Sequence, residues 1–292
     1  FIMFWLYISL RSIFSDNILF SLKSSLLFIK YFFFVLGVVI LIKRNDKFID
    51  NFLKVLISIY FLLILDAFIQ LLFGTNLLGY DSSIIENNRI SGFFGKELVL
   101  GSYVVRLTFL LVALLLISNF KNKKNLIFFI LFLSFATTLI SGERTAFALS
   151  CLSISFYIIQ THSMTLKIKI KTVVLILFIF LISYSFTERV QLRMKQTYDD
   201  LKTAEHIFTF SAGHQSQYAT AINLFKDNVL FGQGPNMFRK KCAEKKFFVK
   251  PYGCSTHPHN IYLQILAETG IIGFVFILFL FYKIIFYSVK HL

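Results

Sequence analysis

Residues 257–260 read His-Pro-His-Asn and stand at the head of a long apolar run from Ile261 to Val289. A neutral imidazole placed there can take a proton from a hydroxyl nucleophile. A lone histidine more often serves only as a hydrogen-bonding group, so residue type leaves both roles open for His259. His257, two residues earlier, is expected to point to another side of the helix. Thr256 is the expected helix cap, and Pro258 is expected in the first turn, where its missing N–H is harmless. Asn260, Gln264 and Glu268 recur every four residues and share one stripe of that helix.

Arg89 is the second candidate for chemistry. A guanidinium matches the fork of phosphate oxygens, and Gly92 and Gly95 would let backbone N–H groups approach the same anion. The alternative is an arginine that anchors lipid headgroups. Glu143 and Arg144 interrupt two apolar runs, where charge is costly and is normally paired. They can pair with each other, holding a hairpin, or with a neighbouring helix. Cys242 and Cys254 can be bridged if their segment faces an oxidising compartment, and are otherwise two free thiols. Cys151 lies in an apolar run and reads as a small buried residue. His257, His259 and Glu268 do not form a ligand set on one helical face, so no metal is expected.

Membrane helices must position these residues. Hydrophobic residues make up 57% of the 292, with 38 Phe, against 15% charged, which leaves too little polar surface for a water-soluble domain. Apolar runs at about 26–42, 52–73, 98–118, 126–140, 145–160, 172–186 and 261–289 read as seven spans. A partial span at 1–10 reads as a chain beginning inside a helix. The fold class is therefore all-α, a polytopic integral membrane protein with about seven to eight transmembrane helices. The last run would reach roughly 43 Å at about 1.5 Å per residue, beyond the ~30 Å hydrocarbon layer, so its polar first turns must stand in water or line a wet cavity. The 126–160 region reads as a tight hairpin broken at SGERTA.

The net charge of +15 falls largely in short connectors, so it sets orientation and does not indicate a nucleic-acid partner. Lys43, Arg44, Lys47 and Lys54 mark one connector, Lys121, Lys123 and Lys124 a second, and Lys167, Lys169 and Lys171 a third. Two spans separate each from the next, so all three can face the cytoplasm. The connectors 74–97, 141–144 and 187–259 then face outward, and Arg89, Glu143, Arg144, His257 and His259 lie in them. The expected division is a transmembrane region 1–186 with a short outer loop 74–97, a large outer loop 187–259 with short helices, and a final helix region 260–292. Within the large loop QYATAINLFKDN is amphipathic, with Tyr218, Ile222 and Phe225 at helical spacing, and VLFGQGPN reads as the turn that ends it.

Four stretches together carry a family resemblance: NRISGFFGKE (88–97), SGERTA (141–146), LFKDNVLFGQGPNMFR (224–239) and HPHNIYLQILAETGIIG (257–273). In this order they resemble the signature of the O-antigen ligase and O-antigen polymerase superfamily, in which a His-Asn pair opens a membrane helix ahead of a Glu-x-Gly. The resemblance implies a glycosyltransferase of lipopolysaccharide biosynthesis in a bacterial inner membrane, with its active face and large loop periplasmic. Its donor would be an undecaprenyl-diphosphate-linked glycan. The acceptor would be lipid A core for a ligase, or another lipid-linked glycan for a polymerase; a transporter of lipid-linked sugars, making no bond, is the reading from another class. The absence of an Asp-x-Asp pair on an outer loop fits a lipid-diphosphate donor better than a nucleotide sugar.

The reaction implied is metal-independent and inverting, needs no cofactor, and has His259 and Arg89 as catalytic groups. His214 stands where the family often has a second loop arginine, which exchanges a permanent charge for one that titrates near neutrality. Arg239, Arg189 or Arg193 are the candidates to replace it. Arg144, His257 and Asn260 complete the expected substrate-binding set.

Overall fold

The computed structural model describes residues 1–82, 89–118, 120–160, 165–186, 188–203 and 212–290. Among these the chain is helix and connector, with an isolated bridge between Thr75 and Asp81. Long Leu, Ile and Phe runs free of proline form helices because lipid offers no partner for an open backbone. The α-helices are α1 (Ile2–Ile13), α2 (Ile18–Leu26), α3 (Lys30–Arg44), α4 (Phe48–Phe73), α5 (Leu100–Ile117), α6 (Lys123–Ser141), α7 (Arg144–Gln160), α8 (Leu166–Phe186), α9 (Glu188–Thr203), α10 (Ala212–Asp227), α11 (Phe238–Lys241) and α12 (Ile261–Lys290). Five stretches among the described residues are long and apolar enough to cross a membrane: Ile18–Arg44, Phe48–Phe73, Leu100–Ile117, Lys123–Ser141 and Ile261–Ser288. The protein is an all-α polytopic membrane protein.

The chain forms two compact units, one of Leu41–Thr197 and one of Phe1–Ile40 with Tyr198–Leu292. The second joins the two ends of the sequence, so the first forty residues fold with the large loop and the last helix.

In the unit of Leu41–Thr197, α4, α5, α6 and α7 pack around buried Leu53, Tyr60, Leu111 and Phe135. The Tyr60 hydroxyl donates to Ile130 O at 2.8 Å, so the ring is buried without stranding its polar end. α4 stops at Gly74, whose φ of 82° ends the helix in the left-handed region. Buried polar groups near the end of α4 then fold the loop that follows. Asp66 Oδ1 accepts Leu77 N at 2.8 Å, and Gln70 Oε1 accepts the amides of Ser91 (3.0 Å) and Gly92 (2.8 Å). The hairpin expected over 126–160 is present, with α6 ending at Gly142 (φ 68°) and α7 starting at Arg144.

In the unit of Phe1–Ile40 and Tyr198–Leu292, α1 packs on α2, and α12 packs on α1, α10 and α11. α12 is not the continuous rod its composition suggests. It breaks at Gly270, where φ is 65° and ψ −170°. The break exposes backbone groups that the 228–237 turn takes up. Gln233 N donates to Ala267 O and Gly234 N to Glu268 O, both at 2.8 Å, while Ile271 N and Ile272 N donate to Val229 O (2.9 Å) and Leu230 O (3.3 Å). Gly232 fits because any Cβ there would lie 2.5 Å from the backbone of Glu268 and Thr269. The Gly-Gln-Gly-Pro-Asn turn and the Glu-x-Gly of α12 are thus two halves of one backbone joint.

Candidate active site

The start of α12 is set by Asn260, whose Oδ1 accepts Tyr262 N at 3.0 Å and Leu263 N at 3.1 Å. This corrects the expectation for Thr256 and Pro258. Asn260 satisfies the orphan amides, Pro258 lies before the helix, and Thr256 Oγ1 bonds His257 Nδ1 at 2.9 Å. His259 therefore occupies the residue just ahead of the cap, with φ at 53°. A non-glycine residue in this region is uncommon and strained, and such residues gather at functional sites.

Three rings meet at this point. His257 lies 4.3 Å from His259 between ring centroids, and His214 meets His259 edge-on at 5.4 Å. The expectation that His257 points away is corrected, because the left-handed turn at His259 folds the two side chains together. His214 comes from α10, and one helical turn later Tyr218 places its ring 6.1 Å from that of His214 and bonds the Asn260 side chain through its hydroxyl. Burial pushes the Tyr218 phenol above its ordinary range, so it stays protonated. Burial, and then the charges of His257 and His214, hold the His259 imidazole below its usual pKa. His259 is therefore neutral near pH 7, the form a proton acceptor needs.

The scaffold beneath this cluster is a small core and a disulfide. Cys242 and Cys254 are bridged, with Cα atoms 4.9 Å apart. Cys242 is buried with Leu224, Phe238, Phe247 and Ala267. The bridge ties the segment leading to His259 to the end of α11. Ser216 Oγ donates to Lys250 O at 3.1 Å and Asn223 Nδ2 to Phe247 O at 3.2 Å, which fasten α10 to the same loop. Glu268, further along the stripe from Asn260 and Gln264, accepts Asn236 N (2.8 Å), Phe238 N (3.3 Å) and Gln264 Nε2 (3.4 Å). Its carboxylate clamps the turn onto the broken helix. Arg239 is exposed on α11 beside Phe238.

The other candidates lie in the unit of Leu41–Thr197. Arg89 Nε donates to Ser141 O at 3.0 Å, so a cation sits on the C-terminal carbonyls of α6, the negative end of its dipole. Two of the four motif stretches thereby meet. The expected role of the neighbouring glycine amides in holding an anion is corrected at Gly92, because Gln70 already accepts its N–H. Glu143 caps α5: its carboxylate accepts Gly101 N (2.5 Å), Ser102 N (3.0 Å) and Ser102 Oγ (2.5 Å). Of the alternatives open for Glu143, the neighbouring helix is the one the structure uses. Arg144 opens α7. The side chains of Arg189 and Arg193, and Asn88 of the Arg89 stretch, lie outside the described residues.

Among the described residues no group of three or more His, Cys, Asp or Glu is placed to hold a metal ion. Sequence reasoning missed Tyr218 as a partner of Asn260, although its spacing of four from His214 put both on one face of α10.

The sequence profile of the O-antigen ligase family matches residues 129–278, just over half of the chain. The matched span covers SGERTA, the 228–237 turn and the His-Asn pair, and leaves Arg89 outside it. No curated protein and no solved structure matches the chain.

Proposed function

The chain belongs to the O-antigen ligase family, and on that premise we propose that it moves a saccharide from an undecaprenyl-diphosphate carrier to a hydroxyl of lipid A core at the periplasmic face of the inner membrane. Transfer of lipid-linked glycan is the activity class of the family. The donor, the acceptor and the residue roles are our reading of the site.

The observation that supports it most is the convergence of His214, His257, His259 and Asn260 at the start of α12, with His259 held neutral. In this reaction the acceptor oxygen attacks the anomeric carbon and gives its proton to His259. The bond from that carbon to the diphosphate oxygen breaks in the same displacement, which inverts the configuration. Arg89 serves the negative charge that builds on the departing diphosphate. Arg239, exposed on α11, is the second cation for the phosphates. His214, His257 and Arg144 bind substrate, and Asn260 fixes the turn that aims His259. No metal is required.

Purified protein given an undecaprenyl-diphosphate-linked glycan and lipid A core should release undecaprenyl diphosphate and form the conjugate, with EDTA present. Release only with a second lipid-linked glycan as acceptor would make it a polymerase. Relocation of intact donor between leaflets without release would make it a transporter.

A further inference from the structure

α1 carries one charged side chain, Arg11, and only 8% of its surface is exposed. The guanidinium holds the turn that follows α10. Nε donates to Phe231 O (3.0 Å) and Gly232 O (3.2 Å), and Nη2 donates to Gly232 O (2.5 Å). These bonds use one side of the fork, and Nη1 has no hydrogen-bond partner among the described residues. Asp16, the acid that acts on Arg11, is itself paired with Lys241 Nζ at 2.6 Å. The arginine charge is thus met by carbonyl dipoles and by no carboxylate contact among the described residues.

Arg11 lines a cleft of about 430 Å³ whose other walls are Tyr7, Leu10, Phe14, Asn228 and Phe231. Two of the polar wall atoms are engaged internally: the Tyr7 hydroxyl donates to Thr269 O at 2.5 Å, and Asn228 Oδ1 accepts Phe231 N at 3.3 Å. What remains is the Arg11 cation and the Asn228 amide nitrogen, both donors, against apolar walls, which complements an anion carried on hydrocarbon. The apolar surface continues past the cleft, because Leu10, Leu6 and Met3 are exposed and fall on one face of α1. That face offers a track of about 10 Å at 1.5 Å per residue. Arg11 lies four residues before the polar turn Ser15-Asp16-Asn17, which leads from the short apolar α1 into the membrane-crossing stretch Ile18–Arg44, so the guanidinium stands at the polar end of an apolar helix, where a headgroup belongs.

We propose that this cleft binds an anionic phospholipid of the surrounding bilayer, with its phosphate on Arg11 Nη1 and one acyl chain along Leu10, Leu6 and Met3. Basic pockets beside membrane helices hold such headgroups. None of the six wall residues belongs to the histidine cluster, and the proposal holds whatever the chain transfers. The lipid braces the same 228–232 turn that closes on the α12 break.

The test is native mass spectrometry of the full chain in mild detergent, titrated with phosphatidylglycerol or with phosphatidylcholine of the same acyl chains. Phosphatidylglycerol should bind ~10-fold more tightly, the effect of one charge-assisted contact. Leu10→Trp, at an exposed position that leaves the Arg11 bonds intact, should bring phosphatidylglycerol down to the phosphatidylcholine level with unchanged unfolding temperature in lipid-free detergent. Arg11→Gln keeps a donor for Gly232 O and should abolish the preference. Equal binding of the two lipids, or full retention by Leu10→Trp, would overturn the proposal. So would displacement of the lipid by inorganic phosphate, which would mark a phosphate site, or by equimolar undecaprenyl phosphate, which would make the cleft a donor site.

Discussion

Replacing Gly270 by alanine attacks the joint on which the site rests. At φ 65° and ψ −170° the residue occupies a region that is essentially glycine-only, where a side chain costs about 1–3 kcal/mol of backbone strain. The added Cβ would also lie 2.2 Å from Leu230 O and 2.4 Å from its carbonyl carbon, so the turn must move away. Four backbone hydrogen bonds between the 229–234 segment and α12 are then at stake, each worth about 1 kcal/mol net. The loss should total roughly 3–7 kcal/mol. Gly37→Ala is the control, because α3 leaves open space around Gly37 and alanine gains about 0.5–1 kcal/mol in a helix. Thermal unfolding in detergent should place Gly270→Ala at least ~6 °C below Gly37→Ala, taking about 2 °C per kcal/mol. If the two variants unfold together, α12 does not need its break and the joint described above is wrong.

Glu143→Ala leaves the first amides of α5 without their carboxylate and should cost about 1–2 kcal/mol in the same unfolding assay, whereas a Glu143–Arg144 pair would predict rescue by Arg144→Ala, which should not occur. Tyr218→Phe removes the hydroxyl that bonds Asn260, so transfer should slow while donor KM stays fixed. The pH profile tests the histidine cluster. A depressed His259 pKa keeps the base neutral down through pH ~6.5 and loses activity only below it, and His257→Gln, by removing a neighbouring like charge, should move that acid limb upward. For orientation, cysteines at exposed Lys245 and Asp46 in a background without native cysteines should label from opposite sides of the membrane.

Local signals in the sequence read well. Apolar runs without proline became helices, and Ser-Gly-Glu broke the α6–α7 hairpin as expected, because chain stiffness and lipid solvation act over neighbouring residues. The misreadings came from competition and distance. Thr256 and Asn260 are both good caps, and only the backbone turn at His259 decides between them. That same turn swings His257 against His259. Gly270 inside an apolar run looks like a small residue in a span, and its break is visible only with the turn that fills it, some forty residues earlier. Glu143 finds its partner at Gly101 and Ser102, a contact that nearest-neighbour reasoning about Arg144 hides.

The central claim is that His259 is the proton acceptor in glycan transfer. Donor binding and transfer should be measured side by side for wild type and His259→Ala, in protein whose Cys242–Cys254 bridge and unfolding temperature are intact. Loss of a general base should lower transfer by about 10²–10⁴-fold and leave donor affinity unchanged. Transfer by His259→Ala within about threefold of wild type, well short of that loss, would remove His259 from the chemistry and leave it as the residue that turns the chain into α12.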